Sequence, residues 1–419
     1  GSYRQSNFQT FSWAQLWVVS CNLSPEAGVV CLRTEEPYPK GAGLVRPGVS
    51  VGRYFAVLLM VHGTLATSTP PFAAAADTPG KESQLNPIRF GLSTGYFGVG
   101  KKGRNVTLRA ELGADVSRVG VWWREIERRR KHYHWHPLDR QVRLTVASGM
   151  EPFLLIVGSP KWACEVQPNY PQSVACPPKR LPPYKRFLRA LVTRYGDHVR
   201  YYEIWNEPNI EYFWAGGPDA DQFARLMVES YAAIKRVDPN AQVVMGAPAA
   251  TDLPWIDRVL ASLGGRIAFD ATAAHPYRFS AFPNTVGPWD LNQVLLVDGT
   301  PVDVTLEDEL LLYQQVFYDA GYGWPDLWIT EIGWPAYDDE PRSGLQSLTD
   351  QARFLEDTYR LAMENPNMSF IKGIIWFTDR DWSDDPNDPR AIEDFGFYGL
   401  THKDRSWKPS AQAFFTLSQ

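Results

Sequence analysis

Two stretches of this chain carry residues whose types and spacing could do chemistry: Tyr201–Phe213, YYEIWNEPNIEYF, and Asp326–Pro335, DLWITEIGWP. Each reads as a short aromatic and β-branched strand that ends on a carboxylate, Glu207 ahead of Pro208 in the first and Glu331 ahead of Gly333 and Trp334 in the second. An ionised glutamate beside indoles is costly unless it is paired or its pKa rises. One such residue could simply end a strand and point into solvent. Two of the same design suggest a pair of carboxyl groups, the equipment of acid–base and nucleophilic chemistry.

Such a pair needs a rigid frame, and 419 residues of which 44% are hydrophobic and 21% charged are enough for a large core. A net charge of −5 argues against nucleic acid as the main partner, because a phosphate-tracking surface needs a basic excess. The one basic run, Arg128–Lys131, reads as a solvated face. No P-loop, dinucleotide-type glycine fingerprint or Cys-rich metal spacing is present, so no cofactor and no metal are expected.

From about Pro87 onward, apolar strands alternate with helix-period segments. The strands are Ile88–Ser93, Val116–Trp122, Glu151–Val157, Tyr201–Asn206, Gln242–Gly246, Ala271–His275, Leu327–Glu331 and Ile371–Phe377. Helices are expected near Val106–Gly113, Leu138–Ser148, Pro183–Tyr195, Ala220–Val237, Trp255–Leu263, Leu306–Ala320, Thr349–Met363 and Ser410–Leu417. Strand and helix alternating in this way predict an α/β fold, a single (β/α)8 TIM barrel over 77–419. Glu207 and Glu331 then fall at the C-terminal ends of the fourth and seventh strands, where such barrels place their active sites.

The beginning of the chain has a different character. Residues 46–76 run from Arg46 and Arg53 through the apolar Tyr54–Val61 to Ala73–Ala76, the order of a secretory signal, and the apolar part is too short for a membrane span. Residues 1–76 are therefore expected to be a leader, removed or poorly ordered, with Gly1-Ser2 resembling a cloning scar and the rest of 1–45 irregular. This predicts a secreted protein with no membrane attachment after signal removal. In an oxidising compartment Cys164 and Cys176 would close the Pro-rich loop CEVQPNYPQSVAC as a disulfide. The sequons at Asn105 and Asn367 would matter only in a eukaryotic secretory route.

The residues at five strand ends resemble the clan A glycoside hydrolases. WNEP after the fourth strand and ITEIGWP after the seventh look like that clan's acid/base and nucleophile motifs. Arg118 in SRVGVWW, His275 and Tyr277 in AAHPY, and Trp376 in IIWFTDRDW fit the same pattern. IWNEPN, the GSPKWA turn and the segment from Asp219 to Gly246 are most similar to glycoside hydrolase family 39. The resemblance implies a carbohydrate substrate and a retaining mechanism, with Glu207 as acid and then base and Glu331 as nucleophile. It further implies that Asn206 bonds the sugar 2-hydroxyl and that Arg118 and Tyr277 keep Glu331 ionised. Trp376 is expected under the reactive sugar, with Trp162 and Trp334 among the cleft-lining tryptophans. Taken singly, each has a plainer reading: Arg118 an ion-pair partner, His275 a satisfied buried histidine, the tryptophans core. His132, His134 and His136 alternate with metal-like residue types but lack a converging partner.

The stretch Arg128–His136 departs from the family pattern, where a Gly-containing turn is commoner. VLLVDGTPVDV reads as a hairpin with a tight primed turn about Asp298-Gly299, on the catalytic side. Exo and endo action, hydrolysis and transglycosylation, the sugar and the oligomeric state stay open, as does an inert sugar-binding barrel.

Overall fold

The computed structural model describes residues 85–93, 104–169, 172–278, 293–338, 345–387 and 396–419, with the backbone of 21–24 and 28–31. The chain divides into two compact units, Gly1–Ala76 and Asp77–Gln419. In the first, β1 (Cys21–Ser24) pairs antiparallel with β2 (Gly28–Cys31), Cys21 opposite Cys31, a hairpin in a stretch that looks irregular in sequence. The signal-like run at 46–76 and the leader's expected disorder lie outside the described residues.

The second unit is a barrel. Its elements are β3 (Arg89–Ser93), α1 (Arg104–Glu111), β4 (Val116–Trp122), α2 (Trp123–Ile126), α3 (His136–Ala147), β5 (Glu151–Val157) and α4 (Leu181–Tyr195). They continue through β6 (Tyr201–Ile204), α5 (Ala220–Lys235), β7 (Gln242–Met245), α6 (Leu253–Leu263), β8 (Ala271–Ala274), a hairpin of β9 (Gln293–Leu295) and β10 (Pro301–Asp303), and α7 (Leu306–Asp319). The chain closes with β11 (Asp326–Ile332), α8 (Leu348–Glu364), β12 (Ile371–Trp376) and α9 (Pro409–Leu417). Strands β3 to β8, then β11 and β12, form one closed parallel barrel, as the alternation predicts. Four helices begin about two residues earlier than their periodicity suggests; in the three that start at His136, Leu181 and Leu253 the reason is proline in the first turn, where no amide donor is needed. Among the described residues no helix is long and apolar enough to cross a membrane.

Period-two alternation sorts each strand between two cores. Val119, Val121, Tyr202, Ile204, Val243 and Met245 pack outward beneath the helices. Val116, Phe153, Val244, Ala271, Ala273, Trp328 and Ile375 fill the interior. There Phe153 stacks on Tyr201 with ring centroids 5.3 Å apart, and Trp328 lies 5.0 and 4.9 Å from the two rings. This aromatic plug is the floor on which the polar residues rest.

One local feature differs from the sequence expectation. The hairpin closes through Leu296 N–H to Thr300 C=O (2.8 Å) and Gly299 N–H to Leu296 C=O (2.8 Å), with only Gly299 in the left-handed region, φ 87°. A primed two-residue turn needs positive φ at Asp298 as well, so the connection is a three-residue loop ending on a left-handed glycine. Cys164 and Cys176 do form the expected disulfide.

Candidate active site

The residues of the site are the next inward layer above the aromatic plug. On β4 the inward register carries Val116 and then Arg118; on β6 it carries Tyr201 and then Glu203. Arg118 clamps Glu203 with Nε to Oε2 at 2.7 Å and Nη2 to Oε1 at 3.1 Å. The same guanidinium donates to Glu331 Oε1 at 2.5 Å and to Asn206 Oδ1 at 3.0 Å. One buried cation therefore ties three strands together at the point where the carboxylates meet.

Strand β11 delivers two successive polar side chains inward, which a regular strand cannot do. Its pairing with β12 shifts register between Ile329 and Ile332, both of which face the outer core. Thr330 and Glu331 in between both reach the interior, Thr330 to Glu203 and Glu331 to Arg118 and to Tyr277, whose hydroxyl donates to Oε2 at 3.0 Å. Re-aiming a side chain is what such irregularities do beside active sites.

Glu207 is turned inward differently. Trp205 has φ 75° and Glu207 φ 43°, left-handed values that cost a non-glycine residue about 1–2 kcal/mol each. Trp205 is buried in the outer core, its indole N–H donating to Phe213 C=O at 2.9 Å, while Glu207 N–H donates to Ala247 C=O at 2.9 Å. Gly246 on the neighbouring strand end makes this turn possible: a Cβ there would lie 2.2 Å from the Trp205 carbonyl oxygen and 2.3 Å from that of Ile204. Both are backbone atoms, so nothing flexible can give. Gly246→Ala is expected to lower turnover by about a hundredfold through misplacement of Glu207, and to cost about 1–3 kcal/mol of stability. Kinetics and thermal melting of the variant check both; an unchanged kcat would show that the turn tolerates displacement.

His275, fully buried after β8, lies between the two carboxyls, with Nδ1 2.9 Å from Glu207 Oε1, Nε2 3.1 Å from Thr330 Oγ1 and Nε2 4.0 Å from Glu331 Oε1. Ligand-type atoms of Glu207, His275 and Glu331 all fall within 4.8 Å of one another. Among the described residues this is the one group spaced to hold a metal ion, but Arg118 already supplies positive charge against Glu331, so an acid–base reading fits its electrostatics better. The histidines His132, His134 and His136 are exposed and form no such group.

The two carboxyls are shifted in opposite directions. Burial pushes Glu207 above the usual carboxyl value, and the nearby charge of Glu331 works in the same direction, against the pull of His275. Burial pushes Glu331 upward too, but His275 and Arg118, with hydrogen bonds from Arg118 and Tyr277, outweigh it and leave Glu331 below the usual value. Such a divergence is what separates an acid from a nucleophile.

The structure thus brings together Arg118, Asn206, Glu207, His275, Tyr277 and Glu331. It adds Glu203 and Thr330, whose only sequence signal is a polar residue at an inward register position. The tryptophans fall elsewhere. Trp376 and Trp334 have no exposed surface and lie in the outer core, ring centroids 5.8 Å apart, with Trp334 against Phe354 of α8. Alternation turns Trp376 away from the cleft, and its successor Phe377 faces Tyr277 instead, at 6.3 Å. Trp162 is half-buried, edge-on to Trp123 at 5.4 Å, and donates to Glu127 C=O at 3.0 Å.

Comparison with known proteins agrees with this geometry. The family model described as Glycosyl hydrolases family 39 matches residues 108–280. A beta-xylosidase of Geobacillus stearothermophilus is 29% identical over 176 residues, 39% of this chain and 34% of that protein. A beta-xylosidase of Caldicellulosiruptor saccharolyticus is 30% identical over 130 residues, 28% of this chain and 26% of that protein. The chain therefore spans about a third or less of these curated relatives. In fold, a family 39 glycoside hydrolase from the gut symbiont Bacteroides cellulosilyticus WH2 superposes with a TM-score of 0.61 at 20% identity, covering 80% of this chain and 64% of that one. By sequence over residues 108–280 and by fold over the barrel, this chain is like the clan A glycoside hydrolases of family 39.

Proposed function

We propose that the chain is a retaining glycoside hydrolase acting on β-linked sugars, with a β-xyloside as the first substrate to try. The observation that carries this reading is the pair of enclosed glutamates, Glu207 shifted up by burial and Glu331 held down by the charges and hydrogen bonds around it, whose oxygens lie within 4.8 Å. That spacing suits attack on a sugar held between them and leaves no room for the water an inverting enzyme places there. Glu207 gives its proton to the glycosidic oxygen as Glu331 attacks the anomeric carbon, and the alcohol leaves. Water then yields a proton to Glu207, attacks the same carbon and releases Glu331, restoring both groups and the original configuration.

The neighbours serve those steps. With Oδ1 taken by Arg118, Asn206 presents its Nδ2 as a donor to the sugar 2-hydroxyl. Beta-xylosidases are named among the relatives, which supports the choice of sugar. The disulfide between Cys164 and Cys176 and the signal-like run at 46–76 support a secreted enzyme.

Aryl β-xyloside, β-glucoside, β-galactoside and α-L-arabinopyranoside test the reading directly. Turnover of at least one is expected; binding without turnover on these and on polysaccharides would instead identify an inert sugar-binding barrel. Activity needs Glu331 ionised and Glu207 protonated, so kcat/KM should rise as pH climbs through the lowered pKa of Glu331 and fall as it passes the raised pKa of Glu207. Tyr277→Phe removes a hydrogen bond that favours the ionised form of Glu331, and should move the acid limb to higher pH by about one unit. An unmoved acid limb would mean that Tyr277 does not act on Glu331.

A further inference from the structure

The layer beneath the two carboxyls contains one charged group that the steps above do not use. Glu203 is fully buried, clamped by Arg118, and in contact with Thr330, whose Oγ1 lies 2.9 Å from Glu203 Oε1. A carboxylate paired with a guanidinium has only lone pairs to offer, so the single proton of the Thr330 hydroxyl points at Glu203. Thr330 Oγ1 can then only accept from His275 Nε2, 3.1 Å away. A neutral imidazole carrying its proton on Nε2 has a bare lone pair on Nδ1. Nδ1 faces Glu207 Oε1 at 2.9 Å, and that contact is a hydrogen bond only when Glu207 carries a proton.

We propose that Glu203 is the positioning residue for both reacting carboxyls: through Thr330 and the tautomer of His275 it keeps the proton on Glu207, and through Arg118 it holds a cation against Glu331. The inference rests on the two-glutamate reading given above. It assigns Thr330 a positioning role as well, although neither residue reaches the sugar. The Arg118 branch agrees with the lowered pKa of Glu331, to which the guanidinium contributes both charge and a hydrogen bond. The charged and titratable groups facing His275 and Glu207 are Arg118 from β4, Glu203 from β6, Glu331 from β11, and Tyr277 two residues beyond His275.

Nitrogen-15 NMR of the histidine side chains tests the tautomer without any substrate, with His275→Asn used to identify the signals of His275 among those of 7 histidines. A neutral ring protonated on Nε2 is expected in the wild type near neutral pH. A ring protonated on Nδ1, or on both nitrogens, would overturn the proposal. Thr330→Val keeps the side-chain shape while removing the relay, and should shift His275 toward the Nδ1-protonated form. That form donates to an ionised Glu207, so the basic limb of kcat/KM should move down by about one unit, and the loss should be about tenfold larger for a poor leaving group than for a dinitrophenyl glycoside. Glu203→Gln should add a shift of the acid limb; if it does not fold, Thr330→Val still decides. Loss that is even across pH and leaving groups, with the tautomer unchanged, would show a structural role only and overturn the proposal. Absence of any turnover by wild type would defeat the glycosidase reading while the NMR result still stands.

Discussion

Glu331→Gln is expected to lower kcat/KM by about ten-thousandfold or more, roughly 5.5 kcal/mol of transition-state stabilisation. A carboxamide cannot attack the anomeric carbon, and its amide group would face the Arg118 guanidinium that Glu331 Oε1 now accepts from. The fold should survive, because Arg118 keeps its two-point clamp on Glu203. Steady-state kinetics on the best aryl glycoside, with circular dichroism to confirm folding, measures both halves. Activity within tenfold of wild type would remove Glu331 from the reaction.

Glu207→Ala should show a different pattern, set by the leaving group. Without the acid, kcat/KM on a disaccharide should fall about a thousandfold or more, while a dinitrophenyl glycoside, which needs little protonation, should lose much less. Deglycosylation also loses its base, so the covalent intermediate accumulates and kcat and KM fall together. Added azide should relieve this step and give a glycosyl azide of retained configuration. Equal losses on all leaving groups, with no response to azide, would contradict the acid/base role. Stability gives an independent readout. The folded pKa of Glu207 is raised above its unfolded value by burial, so the folded chain binds more protons in that window and loses stability as pH rises through it. Glu207→Gln should therefore melt higher than wild type at neutral pH, and the difference should vanish in acid.

Much of this arrangement is legible in the chain, because it depends on patterns that local physics enforces. Eight apolar runs between amphipathic segments have few other ways to bury both faces, and the eight barrel strands lie where those runs do. Asn206, Glu207, His275, Tyr277 and Glu331 sit at or just beyond strand ends and Arg118 inside β4, positions where polar types interrupt an apolar pattern. Less legible is whatever depends on the broken alternation of β11 and the left-handed turn at Trp205. Strict period two would send Glu331 to the same side as Ile329, and nothing local announces that Thr330 and Glu331 both turn inward. The role of Glu203 depends on Arg118, Thr330 and His275 arriving from three other places in the chain. Trp376 marks the opposite error: residue type suggests a sugar platform, while register puts it behind the barrel wall and gives Phe377 the inward place.

Covalent trapping tests the central claim most directly. Wild-type protein is incubated with the 2-deoxy-2-fluoro glycosyl fluoride of whichever sugar the aryl panel identifies, and the digest is mapped by mass spectrometry. The two-glutamate mechanism predicts time-dependent inactivation and one glycosylated peptide, with the label on Glu331 and none in Glu331→Gln. A label on Glu207 or on another residue, or turnover of the aryl glycoside by a route that gives inverted product and no label, would contradict it.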